Sequence, residues 1–115
     1  MKKMLLIAAV ISFAYIFPAT SQNIVINEVL ASNTVVNKDE DDSYQDWIEL
    51  YNTGITPINL QGYGLTDDSN ELFKWVFPNV TINPGSYLLI WASDKNRVNP
   101  LNPLHTNFKI SGDGE

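Results

Sequence analysis

Apolar and polar residues alternate with a period of two along much of the chain, and this pattern predicts β-strands. Ile48 and Leu50 fall on one face of the best-defined strand, whereas Trp47, Glu49 and Tyr51 fall on the other. No segment after residue 21 keeps apolar residues at helical spacing over the roughly twelve positions that a stable helix needs. The pattern therefore predicts an all-β domain.

The remaining strands are separated by proline and glycine turns. In the first strand, alternation places Ile24 and Ile26 on one face with Glu28, and Val25 and Val29 on the other. Several short strands at this spacing favour a two-sheet sandwich or a small barrel. The predicted strands are residues 24–30, 47–51, 57–60, 74–78, 80–82, 87–92 and 104–110, with a change of direction within 60–65 and a type II turn at 83–86.

The first 21 residues have the pattern of a secretory signal peptide. Lys2 and Lys3 precede an apolar run of 14 residues, which is shorter than the roughly 20 that span a bilayer as a helix. The small residues Ala19 and Ser21 indicate cleavage after Ser21. We therefore predict a helical signal peptide at 1–21, export to the cell surface, periplasm or medium, and no stable membrane span after cleavage. An uncleaved anchor is the alternative.

Composition restricts the partners of the domain at 22–115. The chain has no cysteine, so its core must be stable without disulfides. Without the leader it carries 5 Lys+Arg against 13 Asp+Glu, a formal net charge of −8. Nucleic acid binding requires clustered Lys and Arg that displace counterions, so we predict no nucleic acid partner.

An acidic interval with five carboxylates runs from Asp39 to Asp46 and raises the question of calcium, which prefers oxygen ligands. Asp39, Asp41 and Ser43 follow the start of an EF-hand loop. Tyr44 then stands where that loop needs glycine, and a leucine stands at its bidentate Glu position. A solvated loop is the simpler interpretation. We expect no cofactor, with calcium at this loop as the one weak possibility.

His105 is the only histidine, and without cysteine it cannot complete a zinc site of His and Cys ligands. No serine lies in a nucleophile-elbow pattern. We therefore predict no catalytic, cofactor-binding or metal residues, and expect His105 to be hydrogen-bonded locally. Of the aromatic residues, Trp91 is predicted to be core, whereas Trp47 and Tyr51 are the predicted surface pair.

Six separated blocks of the sequence form a recognisable series: residues 26–29, 46–52, 60–67, 74–78, 84–88 and 104–109. In their order and spacing these blocks resemble the bacterial branch of the lamin tail domain family. The resemblance implies an immunoglobulin-like β-sandwich; bacterial members are typically exported and often lie in larger chains beside hydrolase domains or kinase-like domains of the spore-coat CotH type. In the family, further strands follow the last block, so we expect residues 22–115 to lack the last strands and, alone, to aggregate or melt without cooperativity.

Together these features predict a non-catalytic exported β-sandwich module that binds or positions another protein or a cell-surface polymer. The alternative is an N-terminal accessory segment of a larger secreted enzyme, a hydrolase or a CotH-type kinase-like protein, whose catalytic part lies beyond residue 115.

Overall fold

The computed structural model describes residues 23–113, and this part of the chain is all-β, as predicted, with eight strands and no helix. The predicted signal peptide at 1–21 lies outside the described residues. Nothing in the described part forms a helix with the length and apolarity needed to cross a membrane. The strands are β1 (Ile24–Leu30), β2 (Asp46–Asn52), β3 (Ile58–Asn59), β4 (Gly64–Leu65), β5 (Trp75–Val76), β6 (Thr81–Ile82), β7 (Tyr87–Ala92) and β8 (Leu104–His105).

The largest sheet has four strands in the order β1-β2-β7-β8. The first three are antiparallel, and β8 runs parallel to β7. In the register of β2 and β7, Trp47 lies opposite Trp91 and Tyr51 lies opposite Tyr87. Two small sheets, β3-β6 and β4-β5, form the second layer. Their side chains pack against the inner face of the large sheet in a single core of Ile48, Leu50, Leu60, Leu65, Trp75, Phe77, Ile82, Ile90, Leu104 and Phe108.

Two predicted turns are confirmed. The Tyr63 amide donates to the Leu60 carbonyl at 2.9 Å, and Gly62 has a φ of 85°, which a residue without Cβ adopts freely. The Ser86 amide donates to the Asn83 carbonyl at 3.1 Å, and Gly85 has a φ of 67°. The chain therefore reverses direction at both turns that the glycines indicated.

The strand predicted at 104–110 is shorter in the structure, because regular pairing with β7 ends at His105. The Thr106 hydroxyl donates to the Phe108 carbonyl at 2.7 Å, which turns the backbone away from the strand path. Phe108 nevertheless reaches the core. An apolar side chain beyond the end of the strand is therefore still buried in the core.

β1 contains a bulge that changes the predicted faces. Its register with β2 shifts between Ile26 and Glu28, so Asn27 has no partner in the ladder. Glu28 therefore joins Val25 on the outer face, and Val29 joins Ile26 on the inner face. The prediction from strict alternation was wrong from Asn27 onward, because one inserted residue inverts every later side chain.

Asn52 connects the two layers. Its side chain is fully buried, and Nδ2 donates to the carbonyls of Thr56 at 2.8 Å and Ile82 at 2.9 Å. Its Oδ1 accepts from the Gly54 amide at 2.9 Å. All the hydrogen-bonding capacity of one amide thus joins β2, the following turn and β6.

Candidate functional site

The outer face of the large sheet, which points away from the core, divides into two ends of different character. At one end Trp47, Trp91 and His105 are buried, although they lie on the side away from the core. The loop of residues 31–45 covers this end. The outer face comprises Val25, Glu28, Leu30, Trp47, Glu49, Tyr51, Tyr87, Leu89, Trp91 and His105.

Asp39 stabilises the conformation of the 31–45 loop and attaches the loop to the segment after β7. Its Oδ1 accepts from the amides of Asp41 at 3.0 Å and Ser43 at 3.1 Å, and its Oδ2 pairs with the Lys95 ammonium. Burial alone would raise the pKa of Asp39, but the Lys95 ammonium and the two amides outweigh burial and hold the pKa below its ordinary value. The carboxylate is therefore an internal anchor of the loop.

Glu40, His105 and Ser93 form a second attachment. The Nε2 atom of His105 lies 2.8 and 2.9 Å from the two carboxylate oxygens of Glu40, and Nδ1 lies 2.7 Å from the Ser93 hydroxyl. The imidazole is fully buried and stacks on Trp91 with ring centroids 6.4 Å apart. The main partner of His105 is thus 65 positions away, and the expectation of a purely local hydrogen bond was wrong.

Ser93, His105 and Glu40 are the residue types of a hydrolytic triad, but their arrangement indicates a structural role. Ser93 is buried, and its hydroxyl also accepts from the Lys95 amide at 3.3 Å. The two ring nitrogens of His105 bond Ser93 and Glu40, as they would in a triad, so the burial of the Ser93 hydroxyl is what distinguishes this network from a catalytic site. A nucleophile needs an accessible oxygen beside its base, which this arrangement does not offer.

Arg97 extends the network to the surface. Its guanidinium bonds Glu40 and Asp41, each at 2.6 Å, and Lys95 bonds Asp41 at 2.7 Å. Arg97 first, and Lys95 second, lower the pKa of Asp41 to about 2. Burial would raise the pKa of Glu40, but hydrogen bonds from its own backbone amide, His105 and Arg97 lower it. Three carboxylates of the acidic interval, those of Asp39, Glu40 and Asp41, are therefore paired with cations from elsewhere in the fold.

Three groups in this network could ligate a metal: oxygens of Asp39 and Glu40 and a nitrogen of His105 lie within 4.8 Å of one another. Each already has a partner in Lys95, Arg97 or Ser93. A cation would have to displace an ammonium or a guanidinium to bind here. Calcium at the acidic interval stays a prediction, with this competition as its physical obstacle.

The other end of the outer face is open to solvent. Tyr51 and Tyr87 stack with ring centroids 4.6 Å apart and an interplanar angle of 28°, and Tyr87 is 57% exposed. Trp47 was predicted to be the surface partner of Tyr51, but it is only 6% exposed because the 31–45 loop covers its end of the sheet. Tyr87, directly opposite Tyr51, takes that position.

Two carboxylates lie beside the tyrosine pair. Glu28 and Glu49 are direct cross-strand neighbours on the outer face. Glu49 accepts a hydrogen bond of 2.8 Å from the Asn27 amide. Within residues 23–113, neither carboxylate forms an ion pair. We call Glu28, Glu49, Tyr51, Tyr87 and Leu89 the open end of the outer face.

An apolar groove lies on the opposite side of β1, between that strand and the second layer. It is open to solvent, has a volume of about 740 Å³, and reaches the core residues Leu50, Leu65 and Phe77. Ile26 forms part of its wall and is 59% exposed. The lining of this groove is mostly apolar.

The sheets and their shared core define the chain as an all-β module consistent with an immunoglobulin-like β-sandwich. Residues 18–115 match the family model described as the lamin tail domain, and the chain belongs to that family, as the sequence blocks indicated. Lamin tail domains are a non-catalytic immunoglobulin-like family. No curated protein and no solved structure gives a significant match.

Proposed function

We propose that this chain is an exported, non-catalytic β-sandwich module that binds or positions another protein or a cell-surface polymer through the open end of its outer face. The observation that carries the proposal is the stack of half-buried Tyr51 on exposed Tyr87, on a sheet face whose other end is covered by the chain itself. Exposed, rigid aromatic rings give large contact area at low entropic cost, which favours a role in recognition.

The non-catalytic part of the proposal is supported by the way the reactive groups are used. Ser93, His105 and Glu40 bond one another, and Lys95 and Arg97 bond carboxylates. Ser93 is also buried, so its hydroxyl does not lie in a cleft where it could reach a substrate. The chemistry of this network is suited to holding the 31–45 loop on the sheet.

Export is supported by the charge and hydrophobicity pattern of residues 1–21. The test is expression of the full chain in a bacterial host, followed by fractionation and intact-mass measurement. A product in the exported fraction that begins at Gln22 is expected. Full-length protein that remains in the cytoplasm contradicts this part of the proposal.

The binding role is tested by co-sedimentation of the purified protein with cell envelopes isolated from the organism that produces it. We expect Tyr87→Ala to weaken binding at least tenfold. Tyr63→Ala is the matched control, because Tyr63 is 56% exposed but lies at the groove and not on the outer face. Equal loss in both variants, or no envelope binding by the wild-type protein, would refute the proposal.

A further inference from the structure

We infer that the open end of the outer face docks a basic, extended segment of a partner protein, which places an Arg or Lys side chain over Glu28 and Glu49. This inference rests on the proposed binding role of that face and specifies the chemistry of its partner.

The first argument is the position of two carboxylates directly opposite each other. Glu28 and Glu49 face each other directly across β1 and β2, an arrangement in which like charges destabilise a sheet. The Asn27 amide donates to Glu49, and no hydrogen bond compensates Glu28 within residues 23–113. The acidic interval at residues 39–42 has the opposite arrangement, since each of its carboxylates pairs with Lys38, Lys95 or Arg97. A cation supplied from outside would complete the Glu28–Glu49 pair in the same way.

The second argument is the aromatic surface next to that pair. Glu49 and Tyr51 are neighbours on the same face of β2, and Tyr51 stacks on the exposed Tyr87. A guanidinium bonds carboxylates in a planar fork and also stacks on aromatic rings. Carboxylates beside a tyrosine stack with one exposed ring therefore match an arginine better than either feature does alone.

The third argument concerns the shape of the partner. β1 is at the edge of its sheet and pairs only with β2 among the described strands. An extended segment can form backbone hydrogen bonds along such an edge and place alternate side chains beside Glu28. A neutral sugar would stack on Tyr87, but it would leave the two carboxylates uncompensated. Charge complementarity thus favours a basic peptide over a neutral or acidic polymer, and the formal net charge of −6 favours it further.

The test is calorimetric titration of the full chain with three probes: a ten-residue peptide of alternating Arg and Thr, the matched peptide of alternating Gln and Thr, and a neutral β-linked hexasaccharide. We expect binding of the Arg peptide alone, weakened at least tenfold when salt is raised tenfold. The Glu28→Gln, Glu49→Gln double variant should lose at least tenfold in affinity. Its Tm should rise, because the like-charge pair is removed.

The charge-matched control is the Glu71→Gln, Asp113→Asn double variant, whose exposed carboxylates lie outside the strands of the large sheet. Equal loss of affinity in both double variants would show unspecific attraction to an acidic chain and would overturn the inference. Tighter binding of the hexasaccharide than of the Arg peptide would overturn it in favour of a polymer. If Tyr87→Ala abolishes envelope binding while the Glu double variant retains it, the inference fails and the proposed function remains.

Discussion

Glu40 and His105 lie 65 positions apart, yet both carboxylate oxygens of Glu40 are within 2.9 Å of the Nε2 atom of His105. This contact closes the 31–45 loop over the outer face of the large sheet and buries Trp47 and Trp91 beneath it. The position of the loop therefore determines how much of the sheet remains open for a partner.

Replacement of His105 by leucine is expected to lower the free energy of unfolding by about 2–4 kcal/mol, because Ser93 would lose its hydrogen-bond partner in a buried site and Glu40 would lose one of its partners. Glu40→Gln should cost less, since the amide oxygen still accepts from Nε2. Urea unfolding measures both values. Lys109→Met is the control, because Lys109 is exposed and forms no ion pair in the described part of the chain. A leucine variant as stable as the control would contradict the structural role of His105.

Acid is expected to destabilise the fold through the loop carboxylates. Asp39, Glu40 and Asp41 have pKa values below their ordinary values of 3.8, 4.5 and 3.8, with Asp41 at about 2. The unfolded chain therefore binds protons at a higher pH than the folded chain. The contribution of these groups to stability is present above about pH 5 and is lost as the pH falls from there towards 2.

Urea unfolding of the full chain between pH 7 and pH 2.5 checks this dependence. Lys95→Met removes a cation from Asp39 and Asp41, so its stability should be lower at pH 7 and should depend less on pH in the acid range. Identical slopes for wild type and variant would show that these ion pairs do not link stability to pH.

Much of the fold follows from the sequence because β-structure is encoded by local alternation and turn residues. The alternation of Ile48 and Leu50 with Glu49 determines which side of β2 faces the core, and Pro84-Gly85 determines where the chain reverses. The family blocks gave the sandwich class as well. These features depend on residues within a few positions of one another.

The candidate site was harder to predict from the sequence than the fold. Alternation predicts which face of the sheet a side chain lies on, but it does not predict whether a loop covers that face. Trp47 was predicted to be exposed, but a loop held by contacts between residues 54–65 positions apart covers it. No periodicity encodes such contacts. The bulge at Asn27 was also missed, since no glycine or proline marks it, and it is the bulge that brings Glu28 opposite Glu49.

Asn52→Ala is expected to destabilise the protein by about 3–5 kcal/mol. The substitution leaves the carbonyls of Thr56 and Ile82 and the amide of Gly54 without their partner, and each orphaned group in a buried site costs about 1–3 kcal/mol. Asn79→Ala is the control, because Asn79 is exposed and, among residues 23–113, its side chain bonds only Asn59. Chemical denaturation of both variants gives the comparison. A cost below about 1 kcal/mol for Asn52→Ala would show that water replaces the amide.

Ile26→Lys should reduce self-association of the chain without lowering its stability. Ile26 is 59% exposed on the edge strand β1, and a charged side chain on an exposed edge opposes pairing with another molecule. Light scattering during a slow concentration series measures the effect. Leu101→Lys is the control, since Leu101 is 90% exposed in the loop before β8. Equal improvement in both variants would assign the effect to net charge and not to the β1 edge.

Millimolar calcium is expected to release no binding heat and to leave the Tm of the wild-type chain unchanged. Asp39 is paired with Lys95, and Asp41 is paired with both Lys95 and Arg97, so calcium would have to break these ion pairs before it could bind. The Lys95→Met, Arg97→Met double variant removes the competing cations and leaves Asp39, Glu40 and His105 as possible ligands. Calorimetry and melting curves of both proteins, with potassium chloride at matched ionic strength as the control, separate the two cases. A calcium-dependent rise in Tm of the wild-type chain would establish the acidic loop as a metal site and contradict its purely structural role.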